Sequence, residues 1–322
     1  ERTHIMSKIA TRYDITACKS ASDILTQCGL NWEPEVRPAG VGWGPGVLQD
    51  GTGITAGCEN FRAIVNPITG KALAFTGERF RPNSHMKVVS DMEMLMQHGS
   101  ITPHSVSVWD GGGKIALQYR CPDLDVTIGA KSVISPLLTL VVNHDSGGSD
   151  RSFFADFDFW CRNQAGIVAK IAGDGVRHSG RVIAKYEDLV EQRILSLKGG
   201  MGDRYLTMRK MADSPIQLRG KELVSYFARA MDFAPTSVDE TFKAAHEGEV
   251  LSAEGKVLKA LVADWRADDH GVPGTVWHAY SAVTRYTTHT EGRNEATRAL
   301  RSLTGAQDRY LRAVTEAAQA GA

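Results

Sequence analysis

The apolar positions of this chain change their period part-way along, and that change predicts the fold class. Between Phe61 and Cys161 short apolar runs alternate with turn residues: Phe61–Val65, Ala72–Thr76, Ser105–Trp109, Ile115–Arg120, Leu124–Ile128, then the longer runs Val133–Val142 and Phe153–Cys161. Runs of this length, bounded by Gly, Pro, Asn or Asp, read as strands. Asp110-Gly111-Gly112-Gly113 reads as a hairpin turn joining Val108 to Ile115. One helix interrupts the strands. Asn83 or Ser84 caps it, Val88, Met92, Leu95 and Met96 recur at helical spacing, and Gly99 ends it.

After Cys161 the pattern predicts helix throughout. A small-residue helix follows Asn163, and Ala184–Leu197, Gly202–Met211, Gly220–Met231, Val238–His246, Ser252–Arg266, Thr275–Thr288, Asn294–Leu303 and Ala306–Ala320 carry apolar residues at three- and four-residue steps. Before Phe61 the pattern holds one helix, Ser22–Gln27, and a Pro- and Gly-rich stretch, Pro34–Gly53. Seven glycines between Gly40 and Gly57 make that stretch a loop or arm. The expected architecture is α+β, an antiparallel β-rich core with a helical C-terminal region. Residues 1–57 are expected to form the N-terminal helix and arm, 58–180 the β-rich core domain, and 181–322 the helical region.

Composition narrows the function classes. The 322 residues are 42% hydrophobic and 23% charged, as in a globular protein that stays in water. The 37 Lys and Arg balance 37 Asp and Glu, which argues against a surface that is a nucleic-acid clamp all over. The middle is different: Arg151–Arg229 holds fourteen Lys and Arg against nine Asp and Glu, enough for a local phosphate-binding groove. The five cysteines are widely spaced with no Cys-x-x-Cys pair, so neither a zinc knuckle nor a disulfide framework is expected, and a reducing cytoplasm fits. No run reaches the ~18 apolar residues of a membrane span. Glu1–Ile5 precede Met6-Ser7-Lys8, and Met6 reads as the natural start.

The densest chemistry lies between Asn143 and His178. The turn from Asn143 to Arg151 joins two long apolar runs, and its Asn143, His144, Asp145, Ser146 and Ser149 are candidate loop contacts. An imidazole beside a carboxylate, as in His144-Asp145, suits metal or general-base work, while turns also favour Asp for its bonds to following amides. On the strand after the turn, alternation puts Phe153, Ala155, Phe157, Phe159 and Cys161 on a core face and Phe154, Asp156, Asp158 and Trp160 on the other. Asp156 and Asp158 are a carboxylate pair for Mg²⁺ or a solvated strand face. Arg151, Arg162, Lys170, Arg177, His178, Arg181 and Lys185 are the candidate phosphate contacts, set against solvated helix ends. Trp277, Tyr280, Val283 and Thr287 recur at helical spacing and read as helix packing rather than stacking platforms. Cys161 reads as a buried thiol. The chain carries no phosphate-binding Gly-x-x-x-x-Gly-Lys loop, Gly-x-Ser-x-Gly elbow or His-Glu-x-x-His helix.

Together, the Asn143-His144-Asp145-Ser146-Gly147 turn, Cys161-x-Asn163, Arg177-His178-Ser179, the Trp277–Tyr286 segment and Gly29-Leu30-Asn31-Trp32 resemble the phage and plasmid-like protein family that carries the domain of unknown function 932. The resemblance implies a mobile-element protein that handles single-stranded DNA, similar to phage strand-annealing proteins. The expected activity is non-catalytic binding and annealing by a ring or filament of identical subunits, with no cofactor, metal or catalytic residue and no membrane contact. The alternatives are a metal-dependent enzyme on nucleic acid or nucleotides using His144, Asp145, Asp156 and Asp158, and a structural or host-interaction protein of a mobile element.

Overall fold

The computed structural model describes residues 10–41, 56–129, 132–144, 150–158, 163–170, 205–247, 251–267, 272–286 and 316. Ten strands and eight helical segments are named below. The first strands and helices are β1 (Ala10–Asp14), α1 (Ala21–Gln27), β2 (Glu35–Val41), β3 (Ala56–Val65), β4 (Ala72–Gly77), α2 (His85–Asp91) and α3 (Glu93–Gln97). Next come β5 (Thr102–Trp109), β6 (Lys114–Arg120), β7 (Val126–Ile128), β8 (Ser132–Asn143), β9 (Arg151–Asp158) and β10 (Asn163–Lys170). The helical stretch 205–213 (α4) leads into α5 (Lys221–Ala230), α6 (Pro235–Glu247), α7 (Ala253–Ala267) and α8 (Val276–Arg285).

A seven-stranded sheet runs in the order β1-β5-β6-β8-β9-β10, with β7 paired to β8, and a three-stranded antiparallel sheet runs β2-β3-β4. The protein is α+β, with strands before α4 and the larger helices after it. The long apolar runs became interior strands. Ile115, Ala116 and Leu117 of β6 are consecutive and all buried, as are Leu137–Val142 of β8, so both faces of these strands are covered. The β5–β6 hairpin pairs Trp109 with Lys114 and leaves Asp110–Gly113 as its loop, where Asp110, Gly111 and Gly112 have φ of 52°, 69° and 105°. Positive φ at successive positions is why the loop is made of glycine and aspartate.

Local signals account for the helix boundaries. Ser20 caps α1: its hydroxyl accepts from the Asp23 amide and the Asp23 carboxylate accepts from the Ser20 amide, closing a capping box. Ser84 caps α2 in the same way toward the Lys87 amide, 2.9 Å away. The single helix expected from Asn83 to Gly99 is two, α2 and α3, meeting at Met92.

Four elements differ from the sequence reading. β1 lies where no element was expected, and β2 occupies the start of the stretch read as an arm; its register shifts between Pro38 and Gly40, residues that break pairing regularity and hid the strand. β10 is a strand where a small-residue helix was expected after Asn163, because Gly166 weakens a helix and the β-branched pair Ile167-Val168 fits a strand beside β9. Phe154, assigned with Asp156 and Asp158 to the polar face of β9, is 0% exposed; an interior strand can be covered on both faces, which alternation cannot reveal. The helices expected over Ala184–Leu197, Asn294–Leu303 and nearly all of Ala306–Ala320, the arm beyond Val41, and Cys161 and Thr287 lie outside the described residues.

The described residues form two units. One takes the chain up to Arg120 and residues 138–153; the other takes Cys121–Leu137, Phe154–Ala169 and the residues from 205 onward. In the second unit Met208, Leu223, Val224, Phe227, Leu258, Leu261, Trp277, Ala279 and Val283 pack with Ile128 and Ile134 in one core. Trp277, Tyr280 and Val283 of α8 are all buried there, so their helical spacing does mark packing. Full burial of each large apolar side chain contributes roughly 1.5–3 kcal/mol. Among the described residues no helix is long and apolar enough to cross a membrane.

Candidate functional site

The two ends of the turn after β8, Asn143-His144 and Asp150, are the place to build from. Asn143 ends β8 and is 3% exposed; His144 is 0% exposed. The Asn143 amide donates to the Asp150 carboxylate at 2.7 Å, and the Asn83 side-chain amide donates to its other oxygen. Asp150 is itself fully buried, so one carboxylate joins the two ends of the turn and the residue that precedes the cap of α2. A buried carboxyl requires such partners, since leaving its oxygens without hydrogen bonds costs about 1–3 kcal/mol.

His144 makes the second set of ties. Its Nδ1 lies 2.9 Å from the Gly112 carbonyl, its Nε2 2.9 Å from the Asn83 carbonyl, and its amide donates to the Gly113 carbonyl at 2.8 Å. A neutral imidazole has one N–H and donates to one carbonyl at a time, so which of the two it donates to depends on its tautomer. Close by, His85 donates through Nε2 to the Leu30 carbonyl at 2.9 Å, and its buried Nδ1 has no hydrogen-bond partner among the described residues. Burial, then the neighbouring His144, push His85 down to about 4, against the Leu30 bond, so this ring stays neutral.

Trp32 packs against both rings. Its centroid is 4.6 Å from that of His85 and 6.1 Å from that of His144, and the two imidazoles are 5.2 Å apart. The indole N–H donates to the Gly29 carbonyl at 3.2 Å. Gly112 sits so close that a Cβ there would lie 2.4 and 2.7 Å from ring carbons of Trp32. Asn66 extends the brace to the turn between β3 and β4: its amide donates to the Gly111 carbonyl at 3.0 Å while its oxygen accepts from the Ile68 and Thr69 amides. The hairpin loop, the two ends of the β8–β9 turn and the residue before the α2 cap are thus joined by hydrogen bonds.

Of the loop candidates, Asn143 and His144 are therefore buried and bonded to protein, whereas Asp145, Ser146 and Ser149 lie outside the described residues. Arg151 begins β9 and Lys170 ends β10, with only their backbone described; Arg162, Arg177, His178, Arg181 and Lys185 lie outside the described residues. Asp156 and Asp158 belong to β9, again by backbone only. Asn83, His85, Gly112 and Asp150, which complete the cluster, were not candidates. Their positions are scattered along the sequence, and nothing in spacing pairs them. Only Asp150 stood in the turn already singled out.

The family model described as Domain of unknown function (DUF932) matches residues 72–314, most of the chain. The chain belongs to this family. The DUF932 match takes in Asn83, His85, Gly112, His144 and Asp150, so the brace apart from Trp32 and Asn66 falls within it. No curated protein and no solved structure matches the chain. What the DUF932 protein does has to be argued from its own residues.

Proposed function

We propose that this protein binds single-stranded DNA without catalysis and, as a homo-oligomeric ring or filament in the cytoplasm of a cell carrying a phage or plasmid, aligns complementary strands for annealing. The observation that carries the reading is the concentration of cations in Arg151–Arg229, fourteen against nine acidic residues in a chain with no net charge. Such a strip holds phosphates without reading sequence, which leaves bases available for pairing. The engagement of His144 supports the non-catalytic side: the ring is fully buried with its two nitrogens 2.9 Å from main-chain carbonyls, so a metal or a substrate would have to displace one of those contacts to reach it. An enzyme built on His144 and Asp145 would have to break that brace first.

The test is fluorescence anisotropy of a labelled oligo(dT) titrated with the full chain at several salt concentrations. Affinity is expected to fall linearly with salt on logarithmic axes and to depend little on base sequence. Arg177→Ala with Arg181→Ala should weaken binding and leave the thermal midpoint unchanged. No binding at low salt, or binding indifferent to salt, overturns the reading.

A further inference from the structure

We propose that one face of the β2-β3-β4 sheet is the surface on which the bases of single-stranded DNA stack, with Phe61 and Phe75 as the stacking rings. This rests on the DNA-binding reading and locates its base contacts.

Register defines the face. Phe61 pairs with Gly77 and Phe75 with Ala63, and Ala63 pairs on its other side with Arg37. Residues directly opposite across a ladder share a face, so Arg37, Phe61, Ala63, Phe75 and Gly77 lie on one side of the sheet. On the opposite side Ile64, Thr76 and Ala74 are 0%, 5% and 9% exposed, so that side is buried along β3 and β4, while Val36 on the edge strand β2 is 40% exposed. The side left to solvent would ordinarily carry polar residues. Here it carries two phenylalanines, Phe61 at 52% and Phe75 at 64% exposed.

The neighbours of these rings matter as much as the rings. Gly77 and Ala63 are the small residues paired with them on the ladder between β3 and β4, so no large cross-strand side chain stands against either ring on that ladder. Phe61 and Phe75 are diagonal neighbours on adjacent strands, roughly 7–8 Å apart at the backbone, a separation that suits two successive unstacked bases rather than one. Sheets that present aromatic side chains to solvent hold single strands in this manner, and the contact tolerates any base because every base has a π-face.

Charge decides the partner. Residues 35–41 and 56–81, the sheet and its connecting turns, carry five cations, Arg37, Arg62, Lys71, Arg79 and Arg81, against three anions, Glu35, Glu59 and Glu78, in a chain whose total is balanced. A ligand of flat apolar rings joined by phosphates matches open aromatic faces set in a cationic surround, and in a duplex those ring faces are hidden. Arg37 shares the face with Phe75 and pairs with Glu35 at 2.6 Å, both about half exposed; an exposed pair of this kind exchanges for a phosphate at little cost.

The experiment is oligo(dT) anisotropy with the full chain carrying Phe61→Ala or Phe75→Ala, compared at one low salt concentration. Each is expected to weaken binding about ten-fold, the effect of losing one stacked base. Phe75→Tyr should keep the parent affinity, and thermal midpoints should stay within a degree or two because the rings are exposed. Alanine variants that bind as tightly as the parent overturn this inference and leave the DNA-binding reading standing. A parent that binds no oligo(dT) overturns both. Alanine variants that change the sedimentation of the free protein but not its affinity would make the face a contact between copies, which also overturns it.

Discussion

Gly112→Ala is the sharpest probe of the brace, because the structure supplies its own control one residue away. Both Gly111 and Gly112 have positive φ, 69° and 105°, so an alanine at either carries left-handed strain of roughly 1–2 kcal/mol. They differ in what the new methyl meets. At Gly111 nothing among the described residues lies within 4 Å, whereas at Gly112 it would sit 2.4 and 2.7 Å from Trp32 ring carbons, about 1 Å inside ordinary contact. Trp32 is 6% exposed, bonded through its indole to Gly29 and set against His85 and His144, so it has little room to retreat. Overpacking of this kind costs about 1–3 kcal/mol more, so Gly112→Ala should destabilise by roughly 2–5 kcal/mol and Gly111→Ala by the strain alone. Urea unfolding followed by circular dichroism measures both. Adding Trp32→Leu to Gly112→Ala should be less than additive by about 1–3 kcal/mol, since the large ring is what the methyl strikes. Equal losses at Gly111 and Gly112 would refute the close approach of the loop to Trp32.

Other outcomes test separate parts of the argument. His85 and His104 are each held down at about 4, His85 by burial and then His144, His104 by burial and then Arg12. Between that value and the ordinary 6.5 the unfolded chain binds more protons, so stability should fall as pH drops through this window and level off below it, each ring adding a slope of up to about 1.4 kcal/mol per pH unit; a flat profile from pH 6.5 to 4 refutes this. His144→Phe keeps the ring volume but leaves the Gly112 and Asn83 carbonyls without their imidazole, and should cost about 2–4 kcal/mol in urea while oligo(dT) affinity stays within about two-fold. Phe227→Ala, at a fully buried position in the second unit, should cost about 3–5 kcal/mol; a loss below 1 kcal/mol would show that the α5 packing is misassigned.

Much of the fold was legible because burial and period agree in the long elements. The β8 run reads as a buried strand from its unbroken apolar residues, and α5, α7 and α8 read from spacing with Gly, Ser or Thr at their starts. The misses fall where short elements depend on pairing. β2 contains Pro38 and Gly40, which score as loop until β3 lies beside them; β10 is small and partly polar, and becomes a strand by hydrogen bonding to its neighbour. Propensity is a weak prior there, and tertiary context decides. The brace was half legible. Asn143 and His144 were marked by residue type, but the partners that explain them stand at positions 32, 83, 85, 112 and 150, brought together only by the fold.

Residue type also misleads about which side chains act and which hold. A turn rich in Asn, His and Asp draws attention as a place for ligands, yet the Asn143 main-chain amide, the His144 ring and the Asp150 carboxylate are engaged by Asn83, Gly112 and one another, and burial keeps the competing water out. Polar groups so engaged stabilise and position; they have little left to offer a partner. Phenylalanine draws the opposite expectation, yet Phe61 and Phe75 face solvent while Ile64, Ala74 and Thr76 on the other side of β3 and β4 are buried. The two roles separate in one set of measurements. Substitutions at Asn83, His144 and Asp150 should move the unfolding midpoint and leave affinity for single strands alone, while those at Phe61 and Phe75 should do the reverse. A variant of the first group that binds weakly while still stable, or of the second that unfolds early while still binding, would mean that the assignment of holding and acting residues has to be exchanged.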